Sequence, residues 1–131
     1  MNLDEAIERH TEWKITFRAA IEMKRQVDAE SIRRDNCCVL GKWLRADGWA
    51  THGHRPSFAD LVTAHTTFHQ NAGEVADAIN AKDFETADKL LGVWSKYADA
   101  SLAVVDAIEA LQLEIEPVPK TATDSVANAK P

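Results

Sequence analysis

The 131-residue chain is poor in cysteine, proline, glycine and positive charge, and it holds no long apolar run. Each shortage removes a class of protein. Its two cysteines, Cys37 and Cys38, are neighbours and cannot form the long-loop staples of a disulfide scaffold. Thiols this sparse point to a reducing compartment, the cytoplasm, where a cysteine serves as a ligand or a reactive group. No stretch reaches the roughly 18 apolar residues that a membrane-spanning helix needs. The opening MNLDEAIERH lacks the basic and apolar regions of a secretory signal. With 15 basic against 21 acidic residues and a formal charge of -6, the chain offers no basic face to nucleic acid or to an anionic lipid surface. Neither is an expected partner.

What is present suits one folded domain: 45% hydrophobic and 27% charged residues, in a length that buries a core unaided. Few breakers interrupt long stretches of 3.6-residue period, which predicts an all-α fold. The first helix starts at Asn2, paired with Glu5 across the first turn, and its inward row is Leu3, Ile7, His10, Trp13, Phe17 and Ala20 or Ile21. A polar connection over 28–34 leads to a short helix in DNCCVLGKWLRADG, capped by Asp35 or Asn36 and stopped by Gly48. After a loop over 49–56, Ser57 and Asp60 open a helix with Leu61, His65, Phe68 or His69, Ala72, Val75 or Ala76, and Ile79 inward, ending near Ala81. Asp83 caps a last helix of about thirty residues, about 45 Å, with Ala87, Leu90, Leu91, Trp94, Ala98, Leu102, Val105, Ile108 and Leu111 inward. The expected architecture is an antiparallel four-helix bundle with an additional short helix carrying the cysteine ligand. Residues 1–115 form the bundle domain, and the proline-punctuated segment 116–131 reads as a disordered tail.

His65 and His69 stand four residues apart, so both imidazoles leave one face of the same helix and can grip one ion. His10 lies in the buried row of the first helix, and Cys38 begins the short one. One inward histidine is most often a satisfied core residue, and even a pair divides between the two readings. Three inward histidines with a thiol are different, because several buried imidazoles with few polar partners are costly and a shared metal removes that cost. A His₃Cys set suits tetrahedral zinc.

Other chemistries fit worse. The residues three before His10, His65 and His69 are Ile7, Val62 and Thr66, so the Glu-x-x-His of di-iron carboxylate bundles is absent. In His65-Thr66-Thr67-Phe68-His69 the place of a zinc peptidase's glutamate is taken by Thr66, which cannot act as a base. There is no haem-attachment motif. Gly73, four after His69, removes the acidic ligand expected of a hemerythrin-like iron or oxygen carrier. Four protein ligands leave zinc no open position, so a sensor or structural role is expected and an enzyme is not.

Cys38-Val39-Leu40-Gly41-Lys42-Trp43 resembles the Cys-x-(Leu or Phe)-Gly-x-Trp signature of the chemoreceptor zinc-binding domain. His10 in IERHTEW resembles that family's first ligand, and His65-Thr66-Thr67-Phe68-His69 its paired histidines, in the same chain order. The resemblance spans about residues 3 to 113. It implies zinc held by His10, Cys38, His65 and His69 in a helical bundle that often forms a homodimer. It further implies a cytoplasmic partner, a chemotaxis receptor or a diguanylate cyclase, and a response to zinc level or to oxidation of the ligand cysteine. The 131 residues include neither a receptor signalling region nor a cyclase domain, so the likeness is to the domain standing alone. The alternative is a structural bundle or dimerisation module stapled by zinc.

The family pattern selects Cys38 as the ligand. Cys37, about 100° away on a helix, is then a small packing residue or a redox partner for Cys38. Gly41 is expected to let another helix approach the metal, or to have no role, and Trp43 to cover the site or simply to pack. His52 and His54 read as solvated loop residues, with auxiliary ligation the second option. Trp94 and Tyr97 are expected in the core or at a dimer interface.

Overall fold

The structure is a computed structural model and describes residues 1–116. Among the described residues the chain is all-helical, as the periodicity requires, but it forms seven helices rather than four. They are α1 (Leu3–Met23), α2 (Ala29–Arg33), α3 (Val39–Leu44), α4 (Asp47–His52), α5 (Pro56–Asn80), α6 (Phe84–Leu90) and α7 (Lys96–Ile115). Of the segment expected to be a disordered tail, residues 117–131 lie outside the described residues.

The helix boundaries follow local chemistry. The Asn2 side chain accepts the Glu5 N–H at 3.0 Å and starts α1, as expected. Lys24 and Lys82 take left-handed conformations, at φ 55° and 62°, just past α1 and α5. Within the supposed connection over 28–34, Asp28 accepts the Ser31 N–H and nucleates the short α2. The cap of the next helix is Cys38, not Asp35 or Asn36: its Sγ accepts the Gly41 N–H at 3.2 Å. Gly48 does not stop that helix but is buried inside α4, which occupies much of the expected loop. Pro56 opens α5, where its missing N–H costs nothing. Ser57 is not the cap. Its N–H instead meets the Glu114 carboxylate at 3.2 Å, and Arg55 donates to the Glu114 carbonyl at 2.7 Å, so α7 caps α5 from across the fold.

The last helix is the largest departure from expectation. Asp83 does cap a helix, but α6 ends at Leu90, and Ser95 caps α7 by accepting the Ala98 N–H at 3.1 Å. The intervening turn resets the helical phase. The buried row of α7 is therefore Tyr97, Ala100, Val104, Ala107, Ile108 and Leu111, while Trp94 is 94% exposed and Leu102 63% exposed. Tyr97 is a core residue as expected, its ring against Phe17 and Phe68.

The core centres on α5, which packs most extensively on α7 and also meets α1, α2 and α6. Phe68, Ala72, Val75 and Ala76 of α5 are fully buried, as are Val104, Ile108 and Leu111 of α7. Gly73 admits α2 onto α5, since a Cβ there would stand 2.7 Å from Arg33 Cβ. Asn80 ties the α1–α2 connection to the end of α5 through two hydrogen bonds of 2.8 Å with the Val27 backbone. The outer ion pair Arg33–Asp77 adds little, because both side chains are exposed.

Gly41 admits not a second helix but the chain just before it. A Cβ there would run into the Asp35 carbonyl oxygen. Gly41→Ala should therefore cost about 1–3 kcal/mol by overpacking. Thermal unfolding of metal-free protein checks this; an unchanged midpoint would contradict the close approach.

Candidate metal centre

Three separate elements deliver the four expected side chains to one place. His10 stands on the inward face of α1, and His65 and His69 stand a turn apart on α5. Cys38 reaches in from the start of α3, fixed by the Gly41 N–H. One ligand atom from each of the four lies within 4.8 Å of all the others. The imidazoles are buried, His10 at 2% exposure and His65 and His69 at 1% each. Cys38 Sγ is 3.2 Å from His65 Nε2 and 3.6 Å from His69 Nε2, and the two Nε2 atoms are 3.0 Å apart. Tetrahedral zinc, with bonds of about 2.0–2.1 Å to nitrogen and about 2.3 Å to sulfur, sets N···N edges near ~3.3 Å and N···S edges near ~3.6 Å. The group is almost closed to that shape.

Backbone carbonyls choose the tautomers. His10 Nδ1 is 2.9 Å from the Ala6 carbonyl and His69 Nδ1 is 2.7 Å from the Ile32 carbonyl. A carbonyl only accepts, so both Nδ1 atoms carry hydrogen and both Nε2 atoms keep a lone pair. This is the outer support that metal-binding histidines have. His10 Nε2 is buried with no hydrogen-bond partner among the described residues. An orphaned buried lone pair is expensive, and a cation between the four groups would satisfy it together with the other three. The donor set fits zinc.

Electrostatics act in the same direction. Burial, and then the neighbouring imidazoles His69 and His10, push His65 down to about 3. Burial also lowers His10 and His69. All three rings are thus neutral donors at neutral pH. Burial raises the Cys38 thiol, with the Asp35 charge adding to the effect, so without a cation it keeps its proton.

Asp35 is the neighbour that the sequence did not single out for this place. Its carboxylate accepts from Thr66 Oγ1 of α5 and from Arg45 Nη2 at 2.7 Å. Burial would raise it, but those two hydrogen bonds and the Arg45 charge outweigh burial and hold it below the usual range. Thr66, useless as a base, pins the cysteine-bearing turn to the histidine helix. A negative charge in an N-cap-like string was the only available signal.

The other sequence candidates stay outside the group. Cys37 is exposed and precedes the helix, so its divergence from Cys38 is that of a bend and not of a helical turn. Trp43 packs on His52 and Phe58, with ring centroids 5.9 Å and 6.1 Å away. His52 closes α4 and accepts from Arg55 at 3.1 Å, while His54 is exposed. A cleft of about 740 Å³ between α1 and the turn before α3 reaches His10 and Cys38 from outside.

The model of one protein family, described as the chemoreceptor zinc-binding domain, matches residues 10–76. That span begins at His10 and includes Cys38, His65 and His69. No curated protein and no solved structure matches the chain.

Neutral buried histidines give the metal-free protein a defined acid response. The folded pKa of His65 lies below its unfolded value near 6.5, so between about 3 and 6.5 the unfolded chain binds more protons. The stability is complete above that window and falls as pH drops through it. By pH 5 His65 alone should cost about 2 kcal/mol. Chemical denaturation in chelator at pH 7 and pH 5 measures this, and equal stabilities would rule out the neutral, buried histidine.

Proposed function

The chain belongs to the chemoreceptor zinc-binding domain family, and we propose that it is a regulatory domain in which His10, Cys38, His65 and His69 hold a zinc ion and report on zinc level, oxidants or both. The observation that carries this reading is the convergence of four donors from three distant elements, with one buried nitrogen left partnerless. Zinc, when bound, would neutralise the facing lone pairs and cross-link α1, α5 and the start of α3.

The chain's own residues set how such a site opens. Ala6 and Ile32 hold two rings with Nε2 inward, and Asp35 and Thr66 hold the cysteine turn against α5. Cys38 is the one ligand with redox chemistry. As a thiolate it is the group that an oxidant reaches through the cleft, and the resulting sulfenic acid is a poorer ligand. A closed set of four protein donors leaves no place for a substrate, which supports a regulator rather than an enzyme.

The segment that responds is α2 through α3. It rests on α5 through Ile32, Gly73 and the Asp35–Thr66 contact, whereas α5 and α7 share a continuous apolar core. The proposed setting is bacterial chemotaxis or related signalling, beside a receptor or a diguanylate cyclase, as a cytoplasmic homodimer; the family's description as a chemoreceptor domain supports the receptor. Among the described residues no helix is long and apolar enough to cross a membrane. The structural alternative, a bundle merely stapled by zinc, draws on the burial of the same donors.

Two outcomes are expected. Cys38→Ala should weaken zinc binding by more than about 100-fold, beyond the 10–100-fold typical of outer-shell changes. Cys37→Ala should leave it unchanged. Competition against a chromophoric chelator reads both, and an unaltered affinity in Cys38→Ala would remove the proposed site. Hydrogen exchange with and without chelator separates the two roles. Metal loss should speed exchange in residues 29–44 while α5 and α7 stay protected, and a uniform loss across all helices would favour the staple.

A further inference from the structure

Both thiols open onto the same cleft, Cys37 exposed and Cys38 half-buried, with neither in a disulfide. Cys37 is uncommitted: it lies outside the four-donor group, and it donates only a weak hydrogen bond, to Asn36 Oδ1 at 3.6 Å. The backbone around it is also free of the helix ladder. α2 ends at Arg33, α3 begins at Val39, and Cys38 is an extended cap at φ -81°, ψ 164°.

From this juxtaposition we infer that Cys37 is the resolving thiol of Cys38, closing a reversible vicinal disulfide that keeps the fourth ligand out of the site. The inference rests on the oxidant-responsive reading above. The steps balance with hydrogen peroxide as oxidant. The Cys38 thiolate attacks one peroxide oxygen, the O–O bond breaks, hydroxide leaves, and Cys38 becomes a sulfenic acid. The Cys37 sulfur then attacks the Cys38 sulfur, the S–O bond breaks, and the sulfenic oxygen leaves as water with the Cys37 proton.

Geometry gives each thiol a distinct part. Cys38 is the sulfur beside His65 and His69, so its oxidation removes a ligand. Cys37 is on the solvent side, so bonding to it draws the Cys38 sulfur away from those nitrogens. Adjacent Cα atoms are about 3.8 Å apart, less than the ~4.4–6.8 Å of ordinary disulfides, so the ring is strained and readily reduced. Without Cys37, a sulfenic acid open to solvent continues to sulfinic acid, which thiols do not reverse.

The test treats the zinc-loaded full chain, wild type and Cys37→Ser, with two equivalents of hydrogen peroxide per chain, one for each oxygen of a sulfinic acid, and then with dithiothreitol. Zinc release is followed with a chromophoric chelator and the products by non-reducing intact mass. Wild type should lose two hydrogens as a single chain, release zinc, and regain it on reduction. Cys37→Ser should release zinc equally, gain two oxygens, and lose most of its recovery. Equal recovery in the two proteins, or a covalent dimer as the wild-type product, overturns the role of Cys37 while leaving the oxidant response standing. Zinc retained by both proteins overturns the oxidant response itself, and this inference with it.

Discussion

Three buried imidazole nitrogens and a half-buried thiol face one another within 4.8 Å, close enough to share a single ion. Everything distinctive about the molecule follows from that arrangement. His10 Nε2 goes unsatisfied there, and the other three donors have only one another, unless a cation sits among them. The remedy cannot come from protons, because burial and mutual repulsion keep the rings neutral, His65 most of all. Nor can the rings turn away, since the carbonyls of Ala6 and Ile32 fix two of them with Nε2 inward. The helices are thus built around a demand for positive charge that the chain itself does not meet.

The scaffold meets that centre in two parts. α5 and α7 are joined by fully buried side chains along much of their length and capped end to end by Glu114 on the start of α5. The turn carrying Cys38 is held by the Gly41 backbone against Asp35, by the Asp35 carboxylate with Thr66 and Arg45, and by Ile32, Leu40 and Leu44 in the core on either side of it. His69 belongs to both parts, because its ring hydrogen-bonds the Ile32 carbonyl while its other nitrogen faces the donor group.

Much of the fold was legible from spacing. The buried rows of α1 and α5 fall where three-and-four periodicity puts them, because both helices are long, capped and packed along one stripe. The reading failed where a helix is too short to show a period, as in α2 and α4, and where a turn resets the phase, as between α6 and α7. Trp94 shows why. A stripe drawn straight through the break makes it a core residue, but the turn ending at Ser95 leaves it exposed. Ser57 failed for another reason: its helix is capped by Glu114, which lies distant in sequence, and no local rule anticipates a tertiary cap.

By itself the sequence determined the helical class, the inward faces that bear His10, His65 and His69, and the chemistry of a nitrogen-and-sulfur donor set. These are properties of residue type and of period along one helix, which the chain carries locally. Only the tertiary structure decided that the three histidines and Cys38 lie within reach of a single ion, that Cys38 caps its helix while Cys37 faces the cleft, and that Asp35 braces the turn. Convergence of that kind depends on how helices pack and where loops bend. Packing is a sum of many contacts between residues distant in sequence, so no local pattern contains it.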